Sequence, residues 1–419
     1  MNVKSKGRKV GWLLLGILLA AFLGRVVFWV AMDPSSYHQR SDAFFYQRTA
    51  ESIAKELSYA ENGIPTAQKP PLYPLFAGLL LHLLGNQTGV IVAQYLFGVL
   101  SGIPIFLLAR TFLKDQKALL LTAVYAFYPK SWHWESGFMS EPLALWIINL
   151  FFLHIYGYWR KGRITNLWLA SLWAGLALLT RTASAVSLVL VLAYATCQGR
   201  VTRKLASSLS CIGIVALVLS PWVIRNFLTL DSFVPTTTQV GLTLYSSYVS
   251  WGYDMSIVNI LPEDQTILDQ LEGEVEKDAY LLKRTISYLA EQPLQVFALI
   301  PMKIKDYLHP FHGRWYPLNM GSKYDLPYGI LTSFAFLGIL WTRKAGNTLA
   351  NAAFLFVLGG IASAIVSHGE IRYGYLMTTP LFLLAGFCFA EQIQERQKGY
   401  LLLIVALNVV LWVAGIAFK

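Results

Sequence analysis

The chain has 419 residues, of which 55% are apolar and only 14% charged, against about 25% charged in an ordinary soluble domain. That composition excludes a water-soluble globular protein and points to a multi-pass helical membrane protein, because many apolar runs approach the roughly 18–20 residues that cross a hydrocarbon core. The formal net charge is +11, but the basic residues sit in short clusters between apolar runs, as the positive-inside rule requires, and no long basic tract offers itself to nucleic acid.

In chain order, Lys4, Lys6, Arg8 and Lys9 precede an apolar run over 10–32. The run is longer than the roughly 7–15 residues of a signal-peptide core, and no small-x-small cleavage site closes it. It is expected to remain as a first membrane helix with a cytoplasmic N-terminus.

Residues 33–84 are too polar at the front to span a bilayer and too apolar at the back to form a free linker. Tyr46, Ala50, Ile53 and Leu57 fall at helical spacing, so this part can lie flat with its apolar side on the membrane. Ser41 or Asp42 can cap that helix. Asp42 also suits a general base that takes a proton from an acceptor hydroxyl. Lys69-Pro70-Pro71-Leu72 makes a rigid corner and puts an ammonium where the chain turns toward the membrane, fit for lipid headgroups or, more sharply, for a lipid-linked phosphate.

The next apolar run, 72–84, is shorter than a span. If it does not cross, the clusters Arg110/Lys114/Lys117, Arg160/Lys161/Arg163, Arg200/Arg203/Lys204 and Arg343/Lys344 all fall on the N-terminal side; if it crosses, the first three land outside, against the positive-inside rule. It is therefore expected on the outer surface. Further spans are expected near 90–110, 118–131, 142–159, 165–181, 184–198, 205–222, 325–341, 347–367, 373–390 and 399–418, about eleven with the first helix.

The outer face then holds the first loop (33–89), the turn 129–141 and a long segment, 225–325. Within that segment 263–291 is acidic and reads as a solvated helix, with Leu268, Leu271, Val275 and Tyr280 as a partial apolar face. Residues 292–307, with Pro293 and Pro301, read as a broken interfacial helix, and Trp315 and Tyr316 suit a headgroup belt. With no internal repeat, the expectation is one integral membrane domain over 1–419 with amphipathic helices and a cap on its extracytoplasmic face.

Polar groups at membrane depth are costly and tend to be functional. Asp42, Lys69, Glu135, Glu141, Arg181, Arg225 and the group His368/Glu370/Arg372/Tyr373 recur at the outer ends of helices. Coming from distant parts of the chain, they converge on one membrane face. Glu141 opens a span, where a carboxylate also favours the helix dipole; Trp132-His133-Trp134 nearby offers faces for sugar stacking. Arg181 and Arg225 oppose the positive-inside trend, which suggests a bound anion or snorkelling. His309 and His312 are separated by a proline, which disfavours a helical metal pair. No metal ligand is assigned, although a divalent metal with Glu141 or Glu370 is left open. Cys197, Cys211 and Cys388 lack zinc-like spacing and read as small buried hydrophobes. Neither a Gly-rich phosphate loop nor an Asp-x-Asp motif is present, which removes the usual grounds for a nucleotide-sugar donor.

The order Asp42 with Tyr46, Lys69-Pro70-Pro71-Leu72, Ser140-Glu141-Pro142, Pro221-Trp222-Val223-Ile224-Arg225-Asn226 and Glu370-Ile371-Arg372-Tyr373 with Pro380 resembles the GT-C polyprenyl-phosphate-dependent glycosyltransferases of glycosyltransferase family 39. That family includes protein O-mannosyltransferases and the lipid A aminoarabinose transferase. The likeness is strongest over 1–230. It implies a GT-C-like, all-α polytopic fold, a catalytic-centre aspartate at Asp42, a carrier-phosphate lysine at Lys69 and a later acidic position at Glu141. This chain departs from the pattern at Gln68, where the aminoarabinose transferase has glutamate, and at Ala43, where the mannosyltransferases have a second acidic residue. Their large luminal domain has no counterpart in these residues, so a bacterial small-form relative is implied.

The expected function is transfer of a sugar from a polyprenyl-phosphate-linked donor to a lipid, glycan or protein acceptor at the outer side of a plasma (inner) membrane. Asp42 and Glu141 would be catalytic, with Tyr46, Lys69, Arg181, Arg225, Arg372 and Tyr373 around the substrates, because the leaving phosphate needs preorganised cations. A transporter or flippase of lipid-linked sugars would show mid-bilayer charges and inverted halves, whereas Arg25 is nearly alone at mid-span. A non-catalytic glycolipid binder would keep the same fold.

Overall fold

The computed structural model describes residues 3–31, 41–198, 204–250, 260–308, 310, 324–342, 346–367, 371–390 and 395–417. The first apolar run forms α1 (Val3–Ala31). After it, α2 (Ser41–Glu56) is amphipathic and buries Ala43, Phe45, Tyr46 and Ala50. A two-residue antiparallel hairpin, β1 (Ala60–Glu61) and β2 (Ile64–Pro65), follows, turning through Asn62 and Gly63 in the left-handed region (φ 52° and 79°). The Pro70-Pro71 corner then leads into α3 (Leu72–Leu84), which ends on Gly85 at φ 70°. Its 13 residues reach about 20 Å, short of a roughly 30 Å hydrocarbon core. It packs along α2 closely enough that a Cβ on Gly78 would stand 2.7 Å from Ile53.

Helices α4 (Gln87–Leu100) and α5 (Gly102–Ala109) run on as one 23-residue apolar rod. The expected span at 118–131 is not a single helix. It divides into α6 (Asp115–Ala126) and α7 (Pro129–Glu135). Tyr128, immediately before Pro129, is driven to extended geometry (φ −66°, ψ 115°), because the proline ring clashes with a helical predecessor. The 12 residues of α6 rise about 18 Å and do not cross alone.

Four helices then run back and forth: α8 (Glu141–Lys161), α9 (Ile164–Leu178), α10 (Ala185–Gln198) and α11 (Lys204–Leu230). The segment beyond them forms α12 (Val240–Tyr248), α13 (Pro262–Leu268), α14 (Gly273–Glu291) and α15 (Pro293–Leu308). The acidic stretch expected as one helix is therefore two, parted at Gly273, whose φ of 79° suits glycine. Leu268 and Leu281 pack with Tyr245 and Val249 of the α12 region, with Leu271 and Tyr280 against them. Val275 instead joins a separate cluster with Tyr59, Ala67, Trp222 and Val234. Contrary to expectation, α15 continues through Pro301, and it exposes Leu294, Phe297 and Met302, as an interfacial helix would. Trp315 and Tyr316 lie outside the described residues.

The chain closes with α16 (Leu326–Thr342), α17 (Thr348–Val366), a 3-10 stretch Ile371–Met377, α18 (Thr378–Phe387) and α19 (Glu395–Ala417). The architecture is the expected all-α, multi-pass membrane one. The count of eleven full spans is not met by length: five described helices are long and apolar enough to cross, and six apolar helices are shorter. Leu205, Leu209, Ile212, Leu217 and Leu228 of α11 are exposed, an ordinary lining for a lipid-facing helix.

Candidate active site

The corner after β2 is held from several sides. Tyr59 donates its hydroxyl to the Lys69 carbonyl (2.9 Å), Thr237 donates to the Gln68 carbonyl, and Leu72 N–H reaches Leu179 O at the end of α9 (2.8 Å). Fixed in this way, Lys69 directs its Nζ to Asp42 Oδ1 in the first turn of α2, at 2.7 Å. The two side chains keep 19% and 16% of their surface exposed, because both face a cavity of about 250 Å³.

Arg181 borders the same cavity. It follows α9 in extended conformation (φ −153°, ψ 113°) and returns its guanidinium to the start of α8. There Nη1 stands 2.7 Å from Glu141 Oε1 and donates to Ser140 Oγ (3.0 Å). Ser140 Oγ is in turn 3.1 Å from the Tyr46 hydroxyl, and Tyr46 meets Tyr73 edge to face at 5.0 Å. Burial, above all, pushes the Tyr46 phenol up to about 12, so it stays protonated near neutrality. One polar chain thus links α2, α8 and the end of α9.

Of the residues expected from sequence, Asp42, Tyr46, Lys69 and Arg181 line the cavity together. Glu141 is fully buried behind Arg181. Arg225 stands apart from the cavity lining. Its guanidinium donates to the carbonyls of Thr66 (2.8 Å) and Tyr59 (2.7 Å) and lies over the rings of Tyr59 and Trp222, bracing the hairpin against α11. Arg372 and Tyr373 fall in the 3-10 stretch Ile371–Met377, which follows the cavity-lining Ser367 in the chain. His368 and Glu370 lie outside the described residues, as do His309 and His312. Among the described residues no group of three His, Cys, Asp or Glu side chains is placed to hold a metal ion.

Glu135 does not join this site. It pairs with Arg25 of α1, Oε2 to Nε, at 2.5 Å. Trp132 packs over the same arginine (5.5 Å) and against Phe28, so its ring serves that pair and does not line the cavity. Sequence reasoning noted Gln68 only as a departure from the family pattern and missed the rest of the neutral wall: Thr182, Thr237, Gln239, Thr243 and Ser363. Uncharged side chains near a helix end give no depth anomaly to notice. It also missed two cap carboxylates that hold the walls in place. Glu274 accepts from Thr66 Oγ1 (2.6 Å) and Ala67 N–H (2.5 Å). Asp278 accepts from Leu242 N–H (3.1 Å) in the first turn of α12, and burial raises its carboxyl to about 6 despite the backbone N–H groups of Val240, Gly241 and Leu242. Gly241 lets α12 approach this closely, since a Cβ there would stand 1.9 Å from the Asp278 carbonyl oxygen.

Residues 68–224 match the family model of dolichyl-phosphate-mannose-protein mannosyltransferases. No curated protein matches the chain. Among solved structures it is similar to the Archaeoglobus fulgidus oligosaccharyltransferase tethered with an acceptor peptide, at 14% identity and a TM-score of 0.49 over 96% of this chain and 55% of that one. It is also similar to AglB from Archaeoglobus fulgidus in complex with an inhibitory peptide and a dolichol-phosphate (13% identity, TM-score 0.48, 95% and 55% covered). A further likeness is to ArnT from Cupriavidus metallidurans bound to undecaprenyl phosphate (13% identity, TM-score 0.40, 90% and 77% covered). The chain spans about half the length of the archaeal enzymes it matches. The family match bears out the resemblance read from the motif order, to GT-C glycosyltransferases, over the stretch that supplies Lys69, Ser140, Glu141 and Arg181.

Proposed function

We propose that this chain transfers a sugar from a polyprenyl-phosphate carrier to an acceptor hydroxyl at the extracytoplasmic face of the membrane, with Asp42 as general base. The observation that carries the reading is the partly exposed Asp42–Lys69 pair beside Arg181 on one cavity, with Lys69 and Arg181 inside the stretch that matches a family named for a lipid-phosphate sugar.

The chemistry follows from the charges. In the donor the anomeric carbon bears a phosphodiester to the lipid. As the C–O bond to phosphate breaks, negative charge builds on the departing lipid phosphate, and Lys69 and Arg181 are cations already set at the cavity to stabilise it. Engaging Lys69 in this way releases the Asp42 carboxylate from its ion pair. The free carboxylate takes the proton of the acceptor hydroxyl while that oxygen bonds to the anomeric carbon from the opposite face, inverting it. Glu141 acts through Arg181, and Tyr46, a neutral donor, orders Ser140.

The orientation rests on helix ends. Glu141 at the start of α8, Arg181 after α9 and Arg225 near the end of α11 lie toward the cavity side. The basic Arg160 and Lys161 at the end of α8 and Lys204 at the start of α11 lie at the other ends of these helices, which makes those ends cytoplasmic by the positive-inside rule. On this reading the chain is one membrane domain, residues 33–89 and 225–325 form its outer cap, and α3 rests on the outer surface.

The test is turnover of a synthetic polyprenyl-phosphate hexose by the purified chain in detergent, followed as release of free polyprenyl phosphate. Lys69→Ala should raise KM for the donor roughly 10–100-fold, the scale expected for a lost charge-assisted contact. An unchanged KM in that variant, or no donor consumed by the wild type, contradicts the reading.

A further inference from the structure

We infer that Glu274, in the first turn of the cap helix α14, is a positioning residue that sets Lys69 for the donor phosphate, so that cap docking and donor affinity are coupled. The inference rests on the transferase reading above and concerns a residue outside the cavity lining. The residues that lead to the lysine are held one after another. Glu274 Oε2 accepts from Thr66 Oγ1 (2.6 Å), 208 residues away in the chain, and Oε1 accepts from Ala67 N–H (2.5 Å). Thr66 Oγ1 in turn accepts from Gln68 N–H (3.1 Å). A hydroxyl that donates to a carboxylate keeps its lone pairs for another donor. One carboxylate therefore fixes two successive peptides, the second ending one residue before Lys69.

The carbonyls of the same stretch are held too. Arg225 donates to Thr66 O (2.8 Å), Thr238 N–H to Ala67 O (3.0 Å) and Thr237 to Gln68 O. The two bonds to Glu274 are short and charge-assisted, which makes them the stronger kind. Beside Glu274, Val275 packs against the cluster of Tyr59, Ala67, Trp222 and Val234. One turn further along α14, Asp278 accepts from Leu242 N–H (3.1 Å). One face of α14 thus grips two walls of the cavity, the Gln68–Lys69 corner and the start of α12 with Val240, Thr243 and Leu244. The proposed reaction makes that grip matter. In the resting protein Asp42 holds the Lys69 ammonium at 2.7 Å. Once a phosphate engages the ammonium, the backbone sets where the long, flexible stem can place it, and a small rotation of the corner misplaces the charge. Such coupling is reciprocal: a donor that needs the docked cap also stabilises it.

The experiment measures, on the full-length purified chain, KM and kcat for the polyprenyl-phosphate hexose donor and Kd for polyprenyl phosphate alone. Glu274→Ala should raise KM and Kd about tenfold, the scale of a lost charge-assisted contact, and leave kcat within about threefold. Glu274→Gln keeps one acceptor oxygen and should fall between it and the wild type, and it carries the test if the alanine variant does not fold. Added to Lys69→Ala, Glu274→Ala should raise KM by less than about twofold, because it acts through that lysine. Asp264→Asn loosens the cap elsewhere, where that carboxylate accepts from Tyr245 and Tyr280; it should lower the melting temperature and leave KM in place. Unmoved KM and Kd in the Glu274 variants, an equal rise in Asp264→Asn, or the full effect persisting without Lys69 overturns the inference, while wild-type turnover keeps the transferase reading intact. If the wild type consumes no donor, the transferase reading fails, and the Kd values for polyprenyl phosphate still decide the role of Glu274.

Discussion

Two ion pairs in this molecule use the same chemistry and end in opposite states. Arg25 and Glu135 are each about 1% exposed, and the protein saturates them. Nε and Nη2 of the arginine reach the two carboxylate oxygens at 2.5 and 3.4 Å, while Nη1 donates to Ala126 O (2.7 Å) and Ala21 O (3.2 Å). Tyr375 adds a hydroxyl to Glu135 at 3.4 Å, and the absence of a side chain at Gly98 leaves the carboxylate its room, since a Cβ there would stand 2.2 Å from Oε1. Lys69 and Asp42 meet at 2.7 Å and keep a side open to the cavity. A charge pair enclosed by carbonyls and rings locks α1 to α7; one left facing a cavity can exchange its partner for a ligand.

The largest expected effect lies on the enclosed pair. Glu135→Ala leaves the Arg25 guanidinium without its counter-ion and should lower stability by about 3–5 kcal/mol, read as thermal unfolding or folded yield in detergent. Arg25→Met combined with Glu135→Gln should recover most of that loss, because removing both charges costs far less than orphaning one. A single variant as stable as wild type would erase the distinction between the two pairs.

A third carboxylate sharpens the contrast. Asp278 serves α12 as a backbone acceptor, and its carboxyl is raised to about 6 by burial, above the ordinary value. The folded protein therefore holds a proton on Asp278 over the interval from about pH 4 to 6 where the unfolded chain does not. This group's contribution to stability is greatest below that interval, falls as pH rises through it, and is level above it. Asp278→Asn keeps an oxygen acceptor and removes the buried charge. It should flatten the slope and raise stability at pH 7 by under about 1 kcal/mol, after discounting for partial exposure. Melting temperature against pH for the two proteins decides it.

How much of this was legible in the sequence depended on whether charge and hydropathy disagreed. Asp42, Lys69 and Arg181 stood out because ionised groups border apolar runs there, and the structure gathers them on one cavity. Arg225 broke the same rule for another reason: carbonyls of a hairpin far upstream accept its protons, and nothing in sequence separates a carbonyl from a bound anion. Glu135 was read with the outer group because its partner, Arg25, lies across a different helix. Hydropathy alone also ran 118–131 together across Pro129, where Tyr128 leaves helical geometry before the proline. Gln239 and Thr243 left no trace, since neutral polar side chains at a helix end are ordinary, and Gln68 showed only as a departure from the family pattern.

The proposed transfer requires the Asp42 carboxylate to act as base when a donor phosphate engages Lys69. The most direct measurement is the steady-state rate of Asp42→Asn with the polyprenyl-phosphate hexose donor and a hydroxyl acceptor, with donor binding measured on the same preparation. With Asp42 as base, kcat falls by about 10²–10⁴ while donor affinity stays within a few-fold. A variant that transfers sugar at the wild-type rate would contradict that role.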